Sequence, residues 1–154
     1  MNIYLVQHGE AKPEAEDPER PLTEKGRHSV ESVASYMGSL GLEVAEIVHS
    51  GRLRAKQTAE IFAGCLVPAQ GVREERGLGS MDDPAQAKRL IDQVERPLMI
   101  VGHLPHLSRL ASLVILGDIG TEIIRFKMGG VVCLSESDSK WCIDWALVPE
   151  FIQK

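Results

Sequence analysis

Short apolar runs and longer segments with helical periodicity alternate along the chain. The short runs, at residues 2–6, 44–49 and 98–101, are typical of strands buried on both faces of a sheet. Apolar residues at helical spacing predict helices in between. The helices are predicted from the N-cap Thr23 to Gly41, from near Arg52, over 85–94, and from Pro105 to about Leu116. Residues 67–72 form a short connection, with or without a strand.

The pattern changes after Gly117. Three strands are predicted at 123–128, 131–136 and 141–148, separated by a glycine pair and by a Ser-Asp-Ser turn. The order of elements predicts one three-layer α/β domain over 1–154, with a mostly parallel sheet and antiparallel strands toward the C-terminus.

Composition and charge exclude several classes of function. The chain has 44% hydrophobic and 25% charged residues, and 17 basic against 22 acidic residues give a net charge of −5. We therefore expect no nucleic-acid or anionic-membrane partner. No apolar run approaches the ~20 residues of a membrane span, and no signal-peptide pattern begins the chain, so a cytoplasmic location is expected.

The three cysteines show neither the pairing of a disulfide framework nor the CxxC spacing of a zinc site. Cys133 and Cys142 could face each other on neighbouring strands. Reduced, buried thiols in a cytoplasmic protein are the favoured interpretation.

Reactive side chains follow three of the predicted strands, at Gln7-His8-Gly9, at Ser50-Gly51-Arg52-Leu53-Arg54 and at Gly102-His103. Parallel strands point their carboxyl ends to one edge, so the three junctions can converge there. Two histidines, an arginine and helix N-termini offer what a phosphate dianion requires.

Simpler interpretations apply to each residue alone. A single histidine after a strand is more often a hydrogen-bonded structural residue, and a single arginine at a helix start is usually solvated. His106 lies either on the rim of the pocket or inside the protein. A metal site of His8, His103 and His106 is possible, but no HxH or HExxH spacing supports it.

Four motifs together resemble the histidine phosphatase superfamily, and among its branches the short SixA-type phosphohistidine phosphatases. This resemblance implies a phosphoglycerate-mutase-like three-layer α/β fold with the site at the carboxyl edge of the sheet. It implies no metal or cofactor. The motifs are Val6-Gln7-His8-Gly9-Glu10-Ala11, Pro21-Leu22-Thr23-Glu24-Lys25-Gly26, Ser50 to Ala59, and Val101-Gly102-His103-Leu104-Pro105-His106.

Carried over to this chain, the resemblance implies that His8 attacks phosphorus and becomes phosphorylated. Arg54 and His103 would grip the phosphate, with Gly9 beside them. One position departs from the pattern, because Gln7 stands where the family has arginine. Glutamine can still donate hydrogen bonds to phosphate, but the lost charge would cost roughly tenfold in rate, or roughly 10²–10³-fold if it removes a transition-state donor.

The resemblance leaves the general acid open. Glu75 is the nearest candidate and Asp82 or Asp83 the next, although a solvated acidic loop explains these carboxylates equally well. A phosphohistidine leaving group needs a strong acid less than an alkoxide does.

The leading functional hypothesis is a hydrolase that removes phosphate from phosphohistidine on a signalling or phosphotransfer protein. A chain of 154 residues leaves little material for a lid, which suits a substrate presented on another protein's surface. One alternative is a phosphatase of small phosphoesters. The other is a phospho-binding domain that is catalytically weakened by Gln7.

Overall fold

A computed structural model describes residues 1–152. Within these residues the chain forms six β-strands and four α-helices. A short 3₁₀ turn, Pro149–Phe151, follows the last strand. In chain order the elements are β1 (Asn2–Gln7), α1 (Glu24–Ser39), β2 (Glu46–His49), α2 (Leu53–Leu66), β3 (Val72–Glu74), α3 (Pro84–Gln93), β4 (Leu98–Gly102), α4 (His106–Leu116), β5 (Val131–Ser137) and β6 (Lys140–Leu147).

The strands form one sheet in the order β3-β2-β4-β1-β5-β6. The first four strands are mutually parallel, whereas β5 runs antiparallel to β1 and β6 antiparallel to β5. The predicted α/β class, with antiparallel strands toward the C-terminus, is confirmed. In the central β1–β4 pair, Gln7 lies opposite Gly102, so the residues that follow both strands emerge side by side.

Side chains of the central strands alternate between two cores, which explains why these strands are apolar throughout. In β1, Ile3 and Leu5 pack with α3 and α4 on one face, and Tyr4 and Val6 pack with α1 and α2 on the other. All four are buried. Within residues 1–152, no helix is long and apolar enough to cross a membrane.

The prediction of a strand at 123–128 is wrong. Only Met128 makes a β-bridge, to Gln7. The neighbouring strand edges are occupied, because β1 pairs with β4 and β5, and β5 pairs with β1 and β6. The apolar pattern has another cause: Phe126 is buried, and Ile123 and Ile124 pack partly buried against the core of α3 and α4.

The predicted environment of the cysteines is also wrong in part. Cys133 is buried and lies opposite Trp145, whereas Cys142 is exposed and lies opposite Ser135. A register shift between Cys133 and Leu134 contributes to this offset. The two thiols therefore do not face each other, and Cys65 is exposed as well.

The start of α1 packs directly against the loop that follows β1. Thr23 caps the helix by accepting a hydrogen bond from the Gly26 N–H at 2.9 Å, and its hydroxyl donates to the Glu10 carboxylate at 3.1 Å. A Cβ atom added at Gly26 would lie 2.2 Å from the Glu10 carbonyl oxygen. Glycine is therefore needed here for close approach to the chain beyond His8.

We expect Gly26→Ala to destabilise the protein by about 1–3 kcal/mol, because backbone must move to admit the methyl group. Gly64→Ala is the matched control, since Gly64 lies in α2 with nothing within 4 Å of its added Cβ. That substitution should stabilise by about 0.5–1 kcal/mol. Urea denaturation measures both, and equal stability of the two variants would contradict the close approach.

Candidate active site

Three chain segments that follow parallel strands meet at one edge of the sheet. Because β4 lies between β2 and β1, His103 is flanked by Ser50 on one side and His8 on the other. The backbone N–H of His8 donates to the Gly102 carbonyl at 3.1 Å. The centroids of the His8 and His103 rings are 5.0 Å apart. The structure thus brings the two histidines together.

The hydrogen bond of the His8 ring fixes its tautomer. Nδ1 lies 2.7 Å from the Gly9 carbonyl oxygen. A carbonyl only accepts, so Nδ1 carries the hydrogen, and a neutral ring presents a lone pair on Nε2. Burial, opposed by the Gly9 hydrogen bond and assisted by the charges of Arg54 and Arg20, lowers the pKa of His8 to about 4. At neutral pH, His8 therefore carries a free nucleophilic nitrogen.

The second histidine is also neutral. Burial lowers the pKa of His103 to about 3, with smaller contributions from His8 and Arg54. Its Nε2 shares a hydrogen bond of 2.6 Å with the Ser50 hydroxyl, which orients the ring. Two uncharged imidazoles thus stand beside each other, which avoids repulsion between them.

Thr58 connects the His8 loop to the helix that carries Arg54. Its hydroxyl oxygen accepts from the Gly9 N–H at 3.0 Å, and the hydroxyl donates to the Arg54 carbonyl at 2.7 Å. Thr58 is fully buried. It lies one helical turn after Arg54. The hydrogen bonds define a positioning role that periodicity does not reveal.

Three arginines line a cavity of about 280 Å³ beside His103. Its remaining lining residues are Glu14, Pro18, Gly79 and Ser80. Nε of Arg54 is buried and lacks a hydrogen-bond partner within residues 1–152. Burial lowers the pKa of Arg54, and Arg20 and Arg52 lower it further. A bound anion would relieve this repulsion and satisfy the buried donor.

Arg20 is a functional candidate that the sequence reasoning missed. It comes from the irregular loop before α1, where no periodic pattern connects it to the strands. Its backbone has a φ of 50°, and its Nε donates to the Lys12 carbonyl at 3.0 Å. These constraints help to hold the guanidinium toward the cavity. Gln7 is half-buried at the end of β1 and does not line the cavity.

None of the candidate general acids lines the cavity, and each carboxylate has a partner of its own. The Glu75 carboxylate forms an ion pair with Arg73. Asp82 accepts from the Gly79 N–H at 2.8 Å, and Asp83 caps α3 by accepting from the Ala85 N–H at 2.9 Å. Glu14, which the sequence reasoning did not consider, is the one acidic residue among those named as lining the cavity.

His106 lies inside the protein and not on the rim of the pocket, because it is fully buried at the start of α4. Burial lowers its pKa as well. Across residues 1–152, no group of three or more His, Cys, Asp and Glu side chains is placed to hold a metal ion.

Comparisons with known proteins agree with this fold. The chain is 35% identical over 142 residues to an uncharacterised protein of Picosynechococcus, covering 87% of this chain and 84% of that protein. It is 33% identical over 102 residues to the protein named Probable phosphoglycerate mutase GpmB of Salmonella arizonae, covering 61% of this chain and 44% of that protein. The chain therefore spans less than half the length of this second relative.

Among solved structures, the protein histidine phosphatase SixA, complexed with tungstate, superposes with a TM-score of 0.84. The match is 21% identical and covers 99% of this chain and 100% of SixA. The alpha-ribazole phosphatase of Shigella flexneri superposes with a TM-score of 0.76 at 14% identity, covering 97% and 96% of the two chains. The family model that matches residues 3–92 is that of the histidine phosphatase superfamily, branch 1. Since it covers more than half of the sequence, the chain belongs to the histidine phosphatase superfamily.

Proposed function

We propose that this protein hydrolyses phosphohistidine on another protein through a phosphorylated His8. The observation that carries the proposal is the free Nε2 of a buried, neutral His8 near a cavity lined by Arg20, Arg52 and Arg54. The site thus combines a nitrogen nucleophile with a binding site for a dianion.

Phosphate binding rests on the arginine cluster. The guanidinium of Arg54 supplies a rigid fork of donors, and Arg20 and Arg52 add charge around the same cavity. The related SixA structure holds tungstate, an oxyanion that resembles phosphate in shape and charge. Arg20 and Arg52 thus supply positive charge at the site, which the neutral side chain of Gln7 does not.

The first chemical step transfers the phosphoryl group to His8. The Nε2 lone pair attacks phosphorus, the bond between phosphorus and the substrate imidazole breaks, and the departing nitrogen takes up a proton. The Gly9 carbonyl, which accepts from Nδ1–H at 2.7 Å, stabilises the positive charge that develops on the His8 ring. Arg54 and His103 stabilise charge on the transferring oxygens.

The second step returns the enzyme to its starting state. A water oxygen attacks phosphorus, the P–Nε2 bond breaks, and orthophosphate leaves with His8 neutral again. An imidazole leaving group depends less on a strong acid than an alkoxide does. This suits a cavity that Glu75 does not line, since its carboxylate pairs with Arg73. Glu14, an acidic residue that lines the cavity, would assist proton transfer.

Phosphate release from a phosphohistidine-bearing protein and from p-nitrophenyl phosphate tests this proposal. Wild type should release phosphate from the phosphoprotein much faster than from p-nitrophenyl phosphate. His8→Ala should lower the rate of phosphate release roughly 10³-fold or more on both substrates. Faster turnover of the small ester would indicate a phosphatase of small phosphoesters. A wild type no more active than His8→Ala would indicate a domain that binds phosphorylated partners without turnover.

Variants at Gln7 and Arg20 extend the same assay. Arg20→Gln should slow phosphate release by about 10²-fold, because it removes a charged transition-state donor. Adding Gln7→Arg to Arg20→Gln should recover about tenfold, the difference between a charged and a neutral hydrogen bond. An unaffected Arg20→Gln, combined with a large gain in Gln7→Arg alone, would contradict the role given to Arg20.

The protonation of His8 gives a test that needs no substrate. Nitrogen NMR of the imidazoles should show His8 as the neutral Nδ1–H form at pH 7, protonating near pH 4. The unfolded ring binds a proton below about pH 6.5, so the free energy of unfolding should fall as the pH drops from about 6.5 toward about 4. His8→Gln should reduce this fall. A ring that titrates near pH 6.5 in the folded protein would contradict the assignment.

A further inference from the structure

A second and larger cavity lies at the same edge of the protein. Its volume is about 520 Å³, and it runs between the start of α4 and the irregular segment 119–127. We call it the basic groove. The residues that line it include Leu104, Arg109, Ile119, Ile124, Arg125 and Lys127.

Both walls of the basic groove adjoin the two histidines. On one wall, Leu104 directly follows His103. On the other, the residue after Lys127 is bridged to Gln7, which directly precedes His8. The Gly129 N–H also donates to the Gln7 carbonyl at 2.9 Å. A chain lying in the basic groove would therefore pass next to the site that holds the phosphoryl group.

Positive charge predominates in the basic groove, although the protein as a whole carries −5. Arg109, Arg125 and Lys127 face one carboxylate, Glu122, which lies 3.4 Å from Arg125. Within residues 1–152, neither Arg109 nor Lys127 has an ion-pair partner closer than 4.0 Å. These two cations are available to an acidic ligand.

Exposed apolar side chains surround the same edge. Leu104 is 38% exposed, Ile119 48%, and Met128 46%. Met81, which is 73% exposed, follows the cavity residue Ser80. Phosphate binding does not require these apolar side chains. Apolar contacts framed by charge are instead typical of an interface with another protein.

We propose that the basic groove docks the protein segment that flanks the phosphohistidine, and that this segment is rich in acidic and apolar side chains. The proposal rests on the proposed phosphohistidine activity and specifies the partner. The phosphoryl group enters the arginine cavity, acidic side chains pair with Arg109 and Lys127, and apolar side chains cover Leu104 and Ile119. Specificity for the partner thus comes from surface outside the catalytic residues.

Two synthetic phosphohistidine peptides test the docking surface, one with Glu and Leu around the phosphohistidine and one with Lys and Ser. The groove variant is the double substitution Ile119→Asn/Lys127→Glu. Its matched control is Leu40→Asn/Lys140→Glu, which makes the same chemical changes at an exposed leucine and an exposed lysine elsewhere on the surface. Both variants have the same net charge, so general electrostatics are held equal.

Wild type should favour the Glu/Leu peptide about tenfold in kcat/KM. The groove variant should lose this preference because its KM for the Glu/Leu peptide is raised. The control variant should keep the preference. Turnover of p-nitrophenyl phosphate should be unchanged in both, which shows that the site is intact. A preference that survives in the groove variant, or is absent in wild type, would overturn the proposal, as would equal losses in the groove variant and the control.

The same variants separate failure of docking from failure of the proposed function. If wild type releases no phosphate from either peptide, the phosphohistidine activity is wrong. Docking is then tested by the Kd of the Glu/Leu peptide for two proteins. One is His8→Ala, and the other is His8→Ala combined with the groove substitutions. About tenfold weaker binding with the groove substitutions supports the docking surface, and equal binding overturns it.

Discussion

Parallel pairing of β1 with β4 is the constraint on which the site depends. It places Gln7 opposite Gly102, so His8 and His103 emerge together and their rings lie 5.0 Å apart. Each strand is held in register by side chains that alternate between two apolar cores. A shift of one residue would move these side chains to the opposite cores and separate the two histidines.

Burial lowers the pKa of both kinds of group in the site, but only the histidines lose their charge. It removes the charge from His8 and His103, because an imidazolium ion is poorly solvated there. The arginines keep their charge, but the pKa of Arg54 is lowered and its buried Nε lacks a partner. A neutral imidazole beside concentrated positive charge is the arrangement that the proposed reaction of a phosphate dianion requires, and it is present before any substrate arrives.

Sequence patterns predicted the parts of the molecule that depend on local periodicity. The buried strands and the residues that follow them, including His8 and His103, could be read from apolar runs that end at a turn. Features that depend on the whole structure could not. The segment 123–128 is apolar because it packs on the core, and Arg20 reaches the site from an irregular loop. Glu75 follows β3 but pairs with Arg73.

Trapping of the phosphorylated enzyme tests the central claim most directly. Wild type would be mixed with a radiolabelled phosphohistidine protein and quenched in alkali, which preserves a phosphorus–nitrogen bond. The account predicts label on His8 that is stable in alkali and lost in acid, and no label on His8→Ala. Release of phosphate without labelled protein, or label on another residue, would contradict it.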